Sequence, residues 1–275
     1  MIKSAELNFI NLSSKCLAAF VSNFLIKELE LLRGIRSLYA LSIAGFGSPG
    51  SVENESIKFA IKTQIFDGGW ADPEETAWIA GFINKLNGEK KPAVSKAIQW
   101  LTSNRLNGGG WGKHSRDRAR IPATALVLTL VPEAGSDEDY IWVAQEWAKD
   151  LSGSVQLSYK AGFYLLVAGH PSIQGDSVLI DRTIKHLIDD QNEDGGFAPW
   201  KNHPIGSDPW STGVVLWGLS KWIDRVDRSV IERALHWLEV TQLPSGYWPY
   251  HYLDEGTSYA LIGAVSAMRA LASRK

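Results

Sequence analysis

Three stretches of this chain share one spacing. Gln64-Ile65-Phe66-Asp67-Gly68-Gly69-Trp70, Gln191-Asn192-Glu193-Asp194-Gly195-Gly196-Phe197 and Gln242-Leu243-Pro244-Ser245-Gly246-Tyr247-Trp248 all read Q-x3-G-x-aromatic. A fourth, Asn104 to Trp111 (NRLNGGGW), has Asn for Gln and one extra residue. A repeat constrains the fold more than any other feature, because each copy builds one supersecondary unit and the units bury apolar surface only by stacking.

The match extends on both sides. Upstream, Lys96-Ala97-Ile98-Gln99-Trp100-Leu101 parallels Arg233-Ala234-Leu235-His236-Trp237-Leu238. Downstream, a threonine begins each apolar stretch: Thr76, Thr124, Thr212 and Thr257. Ile231, Ala234, Leu235 and Leu238 recur at helical spacing and make one apolar face. Segments after the turns, such as TALVLTLV and STGVVLWGLS, are apolar nearly all round. A helix of that kind is buried on every side. Each unit therefore reads as an amphipathic outer helix, a Gly-aromatic turn and a buried inner helix. The glycines suit a helix end that needs positive φ.

Inner helices are expected near 33–46, 75–86, 120–131, 156–168, 210–223 and 256–272. Outer helices are expected near 6–30, 52–65, 92–104, 137–150, 174–191 and 228–241. One unit, around Ser152 to Gly169, has lost its Gly-Trp turn. Six inner and six outer helices can close into an all-α double-walled ring, an (α/α)6 toroid, and closure removes the need for capping repeats. No linker divides the chain, so residues 1–275 read as a single domain.

Composition narrows the function classes. Net charge is −2 over 275 residues, and Arg116, Arg118 and Arg120 form the only dense basic run. That gives no field for nucleic acid or an anionic membrane surface. No apolar run reaches the ~18 residues of a transmembrane span. The apolar run CLAAFVSNFLI, residues 16–26, is preceded by Glu6 and followed by no small-residue cleavage pattern, so it reads as a buried helix and not a signal peptide. One cysteine, Cys16, excludes an internal disulfide and fits a reducing compartment, with the cytoplasm as the expected location.

The spacing K/R-A-x2-W-L-x3-Q-x3-G-x-W resembles the QW repeat of squalene-hopene cyclases, and related repeats occur in terpene cyclases and protein prenyltransferase β subunits. The resemblance runs from about residue 55 to 250 and implies an (α/α)6 toroid, here a single-barrel member. Squalene-hopene cyclases enclose the substrate between two barrels. This chain has length for one, so a homodimer or a second barrel-forming subunit would supply the other wall. Protein prenyltransferases hold zinc with Asp, Cys and His, whereas Ser207-Asp208-Pro209-Trp210 offers no cysteine. His203 and His251 read as polar rim residues, and no resident metal or cofactor is expected. Mg2+ enters only if the substrate is a diphosphate.

The resemblance also points to Asp72-Pro73-Glu74-Glu75-Thr76-Ala77. In squalene-hopene cyclases a D-x-D-D-T-A motif opens an inner helix, and its middle Asp protonates the isoprenoid. Carried over residue by residue, Glu74 is the proton donor and Asp72 and Glu75 are its partners. Glutamate is one methylene longer, which moves the proton by roughly 1.5 Å. A displacement of that size can cost ~100-fold in rate.

The chemistry is coherent. Carboxyls sharing a water-poor pocket cannot all ionise, so one keeps its proton to higher pH. The cation formed on the substrate needs aromatic walls. Trp78, Phe82, Tyr159, Phe163, Trp210, Trp217 and Tyr259 lie on inner helices and could line the substrate, or could be plain core. Arg118, Arg120 and Asp208 fall at the same end of the ring, where six helix N-termini would also favour an anionic head group such as a diphosphate.

The acidic cluster has a second reading. Asp at the N-cap, Pro at the first helical position and Glu soon after make a good helix start, and the helix dipole favours their ionised forms. Asp208-Pro209 repeats the Asp-Pro pair in register, so only Glu74 and Glu75 are distinctive.

Three functions follow. The first is a class II, protonation-initiated terpene cyclase or isomerase, which requires an apolar central cavity that admits a prenyl chain. The second is a non-catalytic toroid binding a hydrophobic ligand or partner protein. The third is a carbohydrate-active (α/α)6 enzyme with paired carboxylates across the mouth.

Overall fold

The computed structural model describes residues 4–27, 31–46, 50–87, 92–114, 116–173 and 177–274. Among them every regular element is helical. The outer wall comprises α1 (Ser4–Lys27), α3 (Gly50–Thr63), α5 (Pro92–Ser103), α7 (Asp137–Leu151), α9 (Ser177–Asp190) and α11 (Arg228–Thr241). The inner wall comprises α2 (Leu31–Ala44), α4 (Pro73–Asn87), α6 (Ile121–Leu130), α8 (Ser158–Val167), α10 (Pro209–Ser220) and α12 (Leu253–Ser273). Most bounds fall within two residues of the spacing-based expectation. Residues 28–30 of the first expected outer helix and 174–176 of the fifth lie outside the described residues.

Inner helices pack in the cyclic order α2, α4, α6, α8, α10, α12 and back to α2, so the chain forms a closed helical toroid. The division of labour follows from side-chain pattern. α10 is buried from Pro209 to Leu219 except for the half-buried Trp210, as its all-round apolarity requires. α11 buries Val230, Ile231, Ala234, Leu235, Trp237 and Leu238 on one face.

The repeat is a joint between neighbouring units. Gln64 Nε2 donates to Gly68 O at 2.7 Å and to Ala93 O, at the start of the next outer helix, at 2.8 Å. Gln191 does the same with Gly195 O and Val230 O, at 2.8 and 2.9 Å. Gln242 uses Gly246 O and Phe9 O, at 3.1 and 3.0 Å, and so ties the last unit to α1. The threonines close the turns: Trp70, Trp111, Phe197 and Trp248 each donate a backbone N–H to the hydroxyl of Thr76, Thr124, Thr212 or Thr257. The turn tryptophans pack back on the outer helix, with the Nε1 of Trp70, Trp111 and Trp248 donating to Ala60, Leu101 and Leu238 carbonyls at 2.7–3.0 Å.

Gly195 shows why the turn needs glycine. Its φ is +92°, and a Cβ there would meet Arg233 O at 2.6 Å. The unit without this turn is joined differently: Ser158 Oγ donates to Asp190 Oδ2 at 2.7 Å, and Ser158 N to Pro199 O at 2.9 Å.

The ring's centre is packed. Trp78 on α4 meets Trp217 on the opposite helix α10 at a 6.4 Å ring separation, and Tyr259 on α12 at 5.8 Å. Trp78, Phe82 and Phe163 expose no surface at all. Among the described residues, side chains fill the centre at this level. Large aromatics on facing helices fill the space that six inner helices enclose, and their mutual packing supplies part of the core energy.

Candidate functional site

Every inner helix starts on the same side of the ring, so that mouth collects the N-terminal residues of all six. At α4 the Asp-Pro pair builds a cap: Glu75 N donates to Asp72 Oδ1 at 2.9 Å. At α10 the counterpart is Ser211 N to Asp208 Oδ1 at 2.8 Å, with Ser211 Oγ adding a bond to Asp208 Oδ2 at 2.7 Å. Asp72 and Asp208 thus both cap their helices.

Glu74 differs from both. Its side chain is only about a quarter exposed (24%) and lies just inside the mouth. Burial pushes its carboxyl above the usual carboxylate range. Lys113 pulls the other way, Asp72 adds to the rise, Arg36 lowers it and Glu255 raises it. Lys113 Nζ stands 3.6 Å from Glu74 Oε2 and 3.1 Å from Asp72 Oδ2. Glu75 is half-buried, with its backbone in the cap.

Beyond Glu74 the mouth is a paired network. Arg36, almost wholly buried, reaches Glu255 Oε1 at 3.2 Å and Asp254 Oδ2 at 3.9 Å. Arg33 Nε donates to Asp254 Oδ1 at 3.0 Å, and its guanidinium lies over the Tyr252 ring. The Arg36 guanidinium stands over Tyr259 at 5.7 Å. Burial raises the Tyr259 hydroxyl pKa well above normal, and the nearby Glu74 carboxylate adds to it.

An aromatic wall completes the mouth. Trp210 on α10 is half-buried, lies parallel to Tyr250 at 6.4 Å, and meets Tyr159 at 5.2 Å, Tyr259 at 5.5 Å and Phe163 at 6.0 Å. Asp208 beneath it is buried, which raises its pKa against the lowering effect of the Ser211 bonds.

The residues singled out in the sequence divide into three groups. Glu74, Glu75, Asp72, Asp208, Tyr159, Trp210 and Tyr259 come together at the mouth. Trp78, Phe82, Phe163 and Trp217 lie deeper, in the packed centre. Arg118 and Arg120 are exposed on the loop before α6, and Arg120 is engaged by Asp117 at 2.9 Å. Among the described residues no cluster of three His, Cys, Asp or Glu side chains could hold a metal ion.

Lys113, Arg36 and Tyr250 belong to the site and carried no sequence signal. Lys113 lies past the irregular fourth copy of the repeat. Arg36 sits on α2, which no Gln-Gly-aromatic turn precedes.

No family model matches the chain, and no curated protein sequence does. Similarity appears in three dimensions. The apo type II terpene cyclase MstE from Scytonema superposes with a TM-score of 0.75 at 13% identity, over 96% of this chain and 99% of that one. A variant of the same enzyme, in complex with geranylgeranyl dihydroxybenzoate as substrate, gives 0.74 at 14% identity with the same coverage. A protein from Salmonella enterica described as a possible member of the GH105 family gives 0.62 at 13% identity, over 93% of each chain. At these identities the likeness shows the fold, a terpene cyclase-like helical toroid. Among the described residues no helix is long and apolar enough to cross a membrane.

Proposed function

We propose that the chain is a class II terpene cyclase-like enzyme in which Glu74 protonates a linear isoprenoid at the mouth of the ring. One arrangement carries this reading: a largely buried carboxyl at the start of an inner helix, beside Asp72 and 3.6 Å from Lys113, whose burial pushes its pKa up. An alkene is a weak base, so it needs a protonated acid aimed at it from a water-poor site. Glu74 Oε–H would give its proton to one alkene carbon. The O–H bond breaks, the π pair forms the new C–H bond, and the neighbouring carbon becomes cationic. The ring faces of Trp210 and Tyr159, at the same mouth, would then stabilise the developing charge.

That the superposition covers 99% of the MstE chain supports a reading that needs no second barrel. The packed centre sets a condition on it. A prenyl chain reaching past Glu74 must displace Trp78 or Trp217, so the site opens as it is filled. That same packing favours the second reading, a toroid that binds at its mouth without chemistry.

The two separate in one experiment. The protein is incubated with farnesyl and geranylgeranyl chains as alcohols, diphosphates and aromatic conjugates, beside Glu74→Gln and Glu75→Gln. Cyclised product that disappears in Glu74→Gln supports the enzyme. Saturable binding without conversion in any protein leaves only the ligand-binding toroid.

A further inference from the structure

Resting on the reading of Glu74 as the acid, we propose that Lys113 is a positioning residue that fixes which oxygen of Glu74 carries the proton. Lys113 is not part of α4. It lies on the loop between the GGGW turn and α6, and it crosses from that neighbouring unit to the mouth of α4. Its ammonium stands 3.1 Å from Asp72 Oδ2 and 3.6 Å from Glu74 Oε2. The loop itself is braced, since Lys113 N donates to Asp117 Oδ2 at 3.0 Å and Arg120 Nε donates to the same oxygen at 2.9 Å. Asp72 is fixed from its other side by the cap to Glu75 N. The ammonium is thus held between a rigid cap and a braced loop.

The two Glu74 oxygens are therefore unequal. Oε2 faces a cation, and Oε1 has no hydrogen-bond partner among the described residues. A proton on a carboxyl avoids the oxygen that already faces a positive charge. It resides on Oε1, the oxygen left for the substrate. When Oε1–H gives its proton to the alkene, the carboxylate left behind is stabilised by Lys113, and solvent returns the proton after product leaves. Removing the ammonium takes away both effects: the carboxyl becomes a weaker acid and its proton is shared between the two oxygens.

The titration of Glu74 has several neighbours. Asp72 faces it from its own segment, Lys113 from the loop, Arg36 from α2, and Glu255 and Tyr259 from α12. Of these, only Lys113 both contacts Glu74 and is open to solvent (54% exposed), so it can be exchanged without burying a new group. Lys113→Met and Lys113→Arg are compared with wild type. The Glu74 carboxyl is followed by carbon-13 NMR, with its resonance assigned by loss in Glu74→Gln.

The Glu74 midpoint is expected to rise in Lys113→Met and to stay near wild type in Lys113→Arg. In turnover of whichever isoprenoid is converted, kcat of Lys113→Met falls roughly 10- to 100-fold with KM little changed. Protonated Glu74 is the active form and is lost as pH rises through its midpoint, so the alkaline limb of the rate profile moves to higher pH. Lys113→Arg restores both. An unchanged Glu74 midpoint in Lys113→Met overturns the proposal. So does an unchanged kcat and pH profile where Glu74→Gln is inactive, and then the cyclase reading survives without it. Absence of turnover in wild type sinks the cyclase reading instead, and the titration alone still decides whether Lys113 governs the Glu74 proton.

Discussion

The starts of α4 and α10 are the same structure put to different uses. Both open with Asp-Pro, both close the cap from the third residue after the aspartate, and both return a threonine hydroxyl to the preceding turn. They differ at the residue after the proline. α10 places Trp210 there, which joins Tyr250, Tyr159 and Tyr259 in an aromatic wall. α4 places Glu74 there, facing Lys113 and influenced by Arg36. The scaffold residues of a repeat are interchangeable between units. The chemistry is carried where the units disagree, above all at the residue after the proline.

The largest test of that contrast is Glu74→Gln, which is isosteric and keeps the cap. Turnover is expected to fall by at least ~100-fold, the low end of general-acid contributions. The thermal midpoint is expected to stay within a few degrees of wild type. Loss of both activity and folding would mean that Glu74 is structural and that the two helix starts serve the same purpose.

The shared part of the comparison is tested by Thr76→Val and Thr212→Val. Each strands a buried backbone N–H, that of Trp70 or Phe197, at a cost of about 1–3 kcal/mol. Urea unfolding should give similar losses for the two, because the joint is the same. A large difference would break the equivalence of the units.

Smaller effects follow at the caps. Asp208→Ala and Asp72→Ala each remove an N-cap worth about 1 kcal/mol. Asp72→Ala also frees Lys113 from one of its two carboxylates, so it alone should disturb the Glu74 titration.

The smallest effect is a pH dependence. Glu74 has a folded pKa raised above its unfolded one, so its favourable contribution is complete below the unfolded value and is lost as pH rises through the folded value. Glu74→Gln should therefore gain on wild type in unfolding free energy at pH 8, and the gap should close near pH 4.

Most of the fold was legible because the repeat fixes it. Gln64, Gly68, Trp70 and Thr76 each make a bond or contact that recurs in other units, and recurrence is visible in sequence. Capping by Asp72 was legible for the same reason. The rest of the mouth was not. Lys113 and Arg36 act across units, through approaches that only ring closure creates, and neither sits at a repeated position. The packed centre was also hidden. Apolar and aromatic inner helices fit an open hollow and a filled one equally well, and only the Trp78–Trp217 contact across the ring distinguishes them.

The central claim is that the proton starting the reaction comes from Glu74. It is tested most directly by turnover of a linear isoprenoid in D2O, followed by mass spectrometry of the cyclised product. The account predicts one deuterium on the CH carbon of the terminal alkene, next to the tertiary carbon where the cation forms, and no product above background from Glu74→Gln. Product without that deuterium, or labelled product formed equally well by Glu74→Gln, would contradict it.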